Sequence, residues 1–588
     1  MSARCEERGE AIFFPLFFSF NGCHGCRRPL FKFSPIMNKF RLSLALLSTG
    51  LVVTAGAFSA FWGRRENRRR TLRHKTDGRR NRVLEDDSIR LPYDKALSAT
   101  CENGTFVGQL NGEVIAFKGI PYARQPIGSL RWKAPLPPHP DRRVFSAFHF
   151  APSSLQSERE QEPASFHRQS EACLYLNIWT SHTCRSTDKT VMVFIHGGSY
   201  AWGGTSNPLY DGQRLVEQHP DIVLVTIGYR LGMLGFIDFS DVPGGEAYPD
   251  APNLGLLDQV QALRWVRENI HAFGGNPDRV TIFGESAGGG SVSLLAVMPE
   301  AKGLFQRVIA QSGSVALSYD REDCKIFARK FLRHTGCNNM EQLSRLPTHA
   351  LIRANEHLML YNAFPQRDGR RIPHDLYQAY RRGDAAHLDL LIGTNEDEAR
   401  LWMQEVGGYQ VYRFMLPLVC RRSFEPLSTA DRRRVRAFFD SLPMEDVWKK
   451  TEYYNEVVFR LPAIAQAECH ALGGGRSFMY RWTYPSGLPH LKACHAVELA
   501  YVFGNLHETL FTGDNIDHRL AERVQQMWVN FARTGNPSTT ECEWPPYDPE
   551  TRATMRLDST LEIENDPRPL ARRLLTPLLK YHIGHIGR

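Results

Sequence analysis

The chain has 588 residues, 42% of them hydrophobic and 23% charged, a composition that supports a large core and excludes a disordered or fibrous protein. Its net charge of +9 is localised: residues 1–90 carry 18 Lys and Arg against 8 Asp and Glu, leaving 54 against 55 elsewhere, so no nucleic-acid-binding domain is implied. The twelve cysteines follow no regular spacing and leave the redox compartment open.

Residues 1–36 read as an upstream extension. They hold the apolar run Ala11 to Phe20 and a Cys23-x-x-Cys26 pair, which lacks the second cysteine pair or βαβ context that a metal or redox site needs. From Met37 come Lys39 and Arg41, an apolar segment from Leu42 to Trp62, and the small residues Ala55-Gly56-Ala57. That is the pattern of a signal peptide, and its length also suits a membrane span, so residues 37–62 are expected to be a signal or anchor. Residues 63–88 begin with Arg64-Arg65-Glu66-Asn67-Arg68-Arg69-Arg70 and read as a basic, disordered linker. Positive charge there favours a cytoplasmic side and conflicts with simple export. Membrane-associated or secretory location is the expectation, and cytoplasmic the alternative. Residues 89–588 form the remaining domain.

From Tyr93 onward apolar runs alternate with helical patterns. Val191 to His196, Ile222 to Ile227, Val280 to Phe283 and Leu388 to Ile392 are the clearest strands, and the helices between them imply a mainly parallel sheet. The first strand ends in Gly197-Gly198-Ser199-Tyr200, where a glycine backbone can approach a ligand closely and offer N–H groups to an oxyanion. A helix is expected around Leu256 to Ile270, followed by a turn at Gly274-Gly275-Asn276-Pro277. The strand Val280 to Phe283 then breaks into Gly284-Glu285-Ser286-Ala287-Gly288, a G-x-S-x-G pattern leading into small residues. This is how a strand, a strained turn and a helix start look when a serine hydroxyl is held out for attack. The motif alone recurs by chance, but here its strand and helix context is present. The chemistry implied is nucleophilic acyl transfer.

Together with Phe117-Lys118-Gly119-Ile120-Pro121-Tyr122-Ala123, Leu130-Arg131-Trp132, Glu171-Ala172-Cys173-Leu174-Tyr175-Leu176-Asn177, Gly228-Tyr229-Arg230 and Asn253-Leu254-Gly255-Leu256-Leu257-Asp258-Gln259, these motifs resemble the type-B carboxylesterases of the cholinesterase-like family. The resemblance runs from about Tyr93 nearly to the C-terminus. It implies an α/β-hydrolase fold, a central mainly parallel sheet flanked by helices and carrying helical insertions. It also implies a serine hydrolase of carboxylic esters that needs no metal or organic cofactor. Carried over by position, the nucleophile is Ser286, the acid Glu398 in Ile392-Gly393-Thr394-Asn395-Glu396-Asp397-Glu398, and the base His495 in Ala493-Cys494-His495-Ala496-Val497-Glu498-Leu499. The oxyanion hole is carried over to the N–H groups of Gly198, Ser199 and Ala287. The order Ser, Glu, His is that of α/β-hydrolases.

The chain departs from the family pattern in places. Ser199 replaces a third glycine, and Ala399 replaces the glycine after the acid, tolerable unless that position needs a positive φ. Ala172 removes one ion-pair partner and leaves Glu171 for Arg131. Cys173 and Cys337 lack the partners that secreted members supply, so those disulfides are not expected. No tryptophan lies between Gln156 and Glu171, where cholinesterases place a choline-stacking ring, so choline esters are not expected to be preferred. Tyr319 falls near the expected acyl-pocket aromatics. The rival from another class, a catalytically dead adhesion protein on the same fold, is disfavoured because all three triad positions are occupied. Acyl transfer to an acceptor other than water shares the same acyl-enzyme and stays open.

Overall fold

The computed structural model describes residues 88–581 apart from 90–91, 158–167, 185, 357–362 and 406–407. The upstream extension, the signal or anchor and the linker through residue 87 lie outside the described residues, among which no helix is long and apolar enough to cross a membrane.

The apolar runs become strands. In chain order these are β1 (Ser98–Cys101), β2 (Asn103–Val107), β3 (Gln109–Asn111), β4 (Val114–Pro121), β5 (Asp141–Ser146), β6 (Tyr175–Ser181), β7 (Lys189–Ile195), β8 (Ile222–Ile227), β9 (Gly275–Glu285), β10 (Arg307–Gln311), β11 (Asp389–Asn395), β12 (Arg476–Trp482), β13 (Ala553–Leu557) and β14 (Glu562–Asn565). β1, β2 and β5 form a small sheet, and the other eleven form one large sheet in the order β14-β13-β12-β11-β10-β9-β7-β8-β6-β4-β3. Its centre, from β8 to β13, is parallel, and antiparallel strands close both edges.

Five helices cover the sheet or reach the site at its strand ends: α1 (Leu254–Asn269), α2 (Ala287–Leu295), α3 (Asp446–Tyr454), α4 (Leu461–Leu472) and α5 (His518–Thr534). Every residue of β7 is buried, as expected of a parallel strand covered on both faces. Its side chains alternate between two cores. Val191, Val193 and Ile195 pack in the layer that holds Leu256, Val260 and Leu263 of α1, while Met192 and Phe194 pack in the layer that holds Val524, Met527, Trp528 and Phe531 of α5. The stripe on α5 has helical spacing, and the helix is bounded by an Asp517 N-cap and a left-handed Gly535.

The expected turn Gly274 to Pro277 is corrected to a single left-handed residue, Gly274 at φ 82°. β9 already begins at Gly275 because that residue pairs with Lys189, across an irregularity in the β7 register.

Candidate active site

β9 ends at Glu285 and α2 starts at Ala287, so Ser286 has to reverse the chain by itself. It does so at φ 56° and ψ −120°, a conformation that costs a non-glycine residue of order 1–3 kcal/mol. Its neighbours are glycines because three segments nearly touch here. A Cβ on Gly284 would lie 2.5 Å from the Gly288 carbonyl carbon, and one on Gly288 would lie 1.9 Å from the Ile195 carbonyl oxygen at the end of β7. Ser286 is held from both sides: its N–H donates to Gln311 O at 2.8 Å, and its carbonyl accepts from Gly290 N at 2.9 Å.

The loop after β7 lies against this turn, since a Cβ on Gly197 would come within 3.0 Å of Ser286 Cβ. Gly198, Ser199 and Tyr200 all have positive φ, at 99°, 53° and 56°. Ser199 therefore keeps the left-handed backbone of the glycine it replaces, with the strain of a Cβ added. Gln156 fixes the far end of the loop by exchanging two 2.8 Å hydrogen bonds with Gly203, one in each direction. Among the described residues, the N–H groups of Gly198, Ser199 and Ala287 have no protein acceptor. Unpaired donors at a loop and a helix start are what an anion needs.

The candidate acid, Glu398, lies three residues past the end of β11, and the candidate base, His495, lies in the loop that follows β12. Glu398 is fully buried; its Oε1 accepts from Asn395 N at 2.8 Å, and its Oε2 lies 2.6 Å from His495 Nδ1. The two other acids of this segment point elsewhere. Asp397 pairs with Arg400 at 2.9 Å, and Glu396 pairs with Arg481 and Arg568. Ala399 lies in the short helical turn that Glu398 begins and is absent from the positive-φ residues, so the missing glycine costs nothing there.

The structure thus brings Glu398 and His495 together, but aims the other ring nitrogen at a residue that sequence reasoning passed over. His495 Nε2 lies 3.0 Å from Glu285 Oε1, outside hydrogen-bond alignment, and no hydrogen bond joins it to Ser286 Oγ among the described residues. Burial alone would push the imidazole pKa down; the carboxylates of Glu285 and Glu398 outweigh it and raise it well above the ordinary value. A third carboxyl, Glu498, is buried nearby and takes hydrogen bonds from Gln311 Nε2 at 3.1 Å and Asn395 Nδ2 at 2.6 Å. Burial, followed by the charge of Glu285, pushes it up to about 7. Glu285 was visible as the variable residue of the serine motif, and Glu498 lies three residues past His495. What the sequence does not reveal is that both turn inward.

The ring of His495 is also packed between aromatics. Trp402 stacks on it at 5.7 Å, Phe459 lies 5.0 Å away, and the two aromatics stack on each other at 5.9 Å. Tyr319 packs on Phe364 at 4.7 Å, and Phe364 packs on Tyr200 of the glycine loop at 5.5 Å. Glu171 meets Arg131 in a bidentate pair at 2.6 and 2.7 Å, as the substitution at Ala172 led one to expect. Cys173 and Cys337 are both free thiols.

Residues 95–571 match the carboxylesterase family. The chain is 38% identical over 503 residues to the para-nitrobenzyl esterase of Bacillus subtilis (strain 168), covering 81% of this chain and 98% of that protein. It is 32% identical over 490 residues to the cholinesterase of Mus musculus, covering 74% and 78%. Among solved structures, a carboxylesterase of Geobacillus stearothermophilus at pH 6.2 superposes with a TM-score of 0.73 at 34% identity, covering 81% of this chain and 99% of that one.

Proposed function

Since the chain belongs to the carboxylesterase family and is a serine hydrolase of carboxylic esters, we propose that Ser286 is its nucleophile, His495 the general base and Glu398 the acid that orients the base. Ser286 Oγ adds to the ester carbonyl as its proton passes to His495 Nε2. Glu398, on Nδ1, holds the tautomer and stabilises the imidazolium that forms. The N–H groups of Gly198, Ser199 and Ala287 take the oxyanion, each such donor being worth roughly 10²–10³ in rate. His495 then returns the proton to the departing alkoxide, leaving an acyl-enzyme. Water, deprotonated by the same imidazole, releases the acid and restores Ser286.

The observation that carries this reading is the buried 2.6 Å contact between His495 Nδ1 and Glu398 beside a strained serine turn. In the reaction Nε2 has to exchange Glu285 for Ser286 Oγ, and catalytic hydrogen bonds of a free site commonly form only when substrate binds. Ser286→Ala tests the assignment. It should lower kcat for a short-chain ester by roughly 10⁴–10⁶ and abolish labelling by a fluorophosphonate. Persistent labelling would show that another residue is the nucleophile.

Two finer points belong to the same proposal. Without a tryptophan between Gln156 and Glu171, butyrylcholine should gain less than about tenfold in kcat/KM over its uncharged isostere 3,3-dimethylbutyl butyrate. A larger gain would assign the cation platform to another aromatic. The apolar segment Leu42 to Trp62 and its basic flank support association with a membrane, which carbonate extraction of the full chain tests.

A further inference from the structure

After α3 the chain does not continue as a regular helix. Asn455–Arg460 form a π-helical stretch, and α4 begins directly after it with Pro462 at its second position. Such wide turns are uncommon and recur at functional sites. Here the stretch touches the turn that begins at the acid and the ring of the base. Asn455 Oδ1 accepts the N–H of Ala399 at 2.8 Å, immediately after Glu398, and four residues later Phe459 packs against the His495 ring. The stretch is also anchored by a buried pair: Glu456 meets Arg460 at 2.8 Å, and Arg460 Nη1 donates to Pro567 O at 2.9 Å.

The Asn455 amide is kept at a cost. Its side chain is buried, and its Nδ2 has no hydrogen-bond partner among the described residues, which leaves a desolvated donor uncompensated. An apolar residue of the same shape would avoid that cost but would strand the Ala399 N–H, equally buried, without an acceptor. The acceptor oxygen is therefore the reason for the asparagine. It fixes the turn from Asp397 to Arg400, and that turn aims the Glu398 carboxylate.

We propose that Asn455 is a positioning residue for ester hydrolysis, holding the Glu398 turn through the Ala399 N–H while Phe459 and Trp402 brace the imidazole that Glu398 orients. This rests on the assignment of Glu398 and His495 made above. Catalytic groups displaced by a fraction of an ångström lose rate without losing substrate affinity, so the effect falls on kcat.

The test compares the full chain with its Asn455→Leu, Asn455→Asp and Glu398→Gln variants on p-nitrophenyl butyrate. Asn455→Leu keeps the shape and removes the acceptor; it should lower kcat roughly 10–100-fold with KM within about threefold, and slow fluorophosphonate labelling in step. Asn455→Asp keeps an acceptor oxygen and should recover kcat to within about fivefold on the alkaline plateau, a rescue that a purely structural role would not give. Should the leucine variant fail to fold, Asn455→Ala takes its place. The proposal is overturned if the folded acceptor-less variant stays within about threefold of the parent kcat, or if the leucine and aspartate variants lose kcat equally. Glu398→Gln separates the two levels: if it is as active as the parent, the triad assignment fails, whereas an inert Glu398→Gln beside an unaffected Asn455→Leu sinks only the positioning role.

Discussion

Three consecutive carboxylates, Glu396, Asp397 and Glu398, have three different fates, and that difference sets a prediction for single residues. Only Glu398 reaches His495; Asp397 is taken by Arg400 and Glu396 by Arg481 and Arg568. Glu398→Gln should cost orders of magnitude in kcat, while Asp397→Asn should cost less than about tenfold, acting only through the Arg400 contact. Equal losses would mean that the wrong acid has been assigned. A second prediction concerns Glu285. Its carboxylate raises the His495 pKa, and only the neutral imidazole can act as base, so kcat/KM falls as pH drops through that pKa. Glu285→Gln removes one of the two carboxylates that favour the charged ring. The acid limb of kcat/KM should therefore move to lower pH, and a profile unmoved or shifted upward would show that Glu285 does not hold the ring in solution.

Between elements, a buried ion pair joins the loop after β8 to α1. Arg230, in the loop after β8, is 1% exposed and grips Asp258 of α1 through Nε at 2.8 Å and Nη2 at 2.6 Å, while its Nη1 donates to Lys133 O at 2.8 Å. Such a pair gains little over apolar packing, but breaking it leaves an uncompensated charge in the interior, at about 3–5 kcal/mol. Asp258→Leu should lower the urea midpoint accordingly, whereas Asp278→Ala, which removes an exposed partner of Arg267, should leave it unchanged. Comparable shifts for the two would show that Arg230 finds another counter-charge. Both Arg230 and Asp258 stood out in the sequence as parts of family motifs. Their contact did not, because they stand 28 positions apart in the chain with a loop between them.

For the whole molecule, the charge asymmetry of the sequence leads to a prediction about the boundary of the domain. Ser88 bridges Phe145, and Ile89 N donates to Val144 O at 2.8 Å, so among the described residues main-chain pairing on the edge of the small sheet begins at residue 88. A variant begun at Asp87 keeps that pairing and loses a segment with a large excess of basic residues. It should be soluble, lower in pI and as active as the full chain. Insolubility or lost activity would show that the residues before it pack on the catalytic domain. The sequence by itself determined the parallel sheet and the G-x-S-x-G turn after β9, because strand burial and glycine requirement are local properties, whereas Glu398 and His495 were singled out only by their positions in segments that resemble the carboxylesterase family. Only the tertiary structure decided that β9 begins at Gly275, that Glu285 and Glu498 face inward, and that Asn455 and Phe459 reach the Ala399 N–H and the His495 ring from a π-helical stretch nearly sixty residues beyond Glu398. Those facts depend on which distant segments share a cavity, and neither periodicity nor spacing along a chain carries that information.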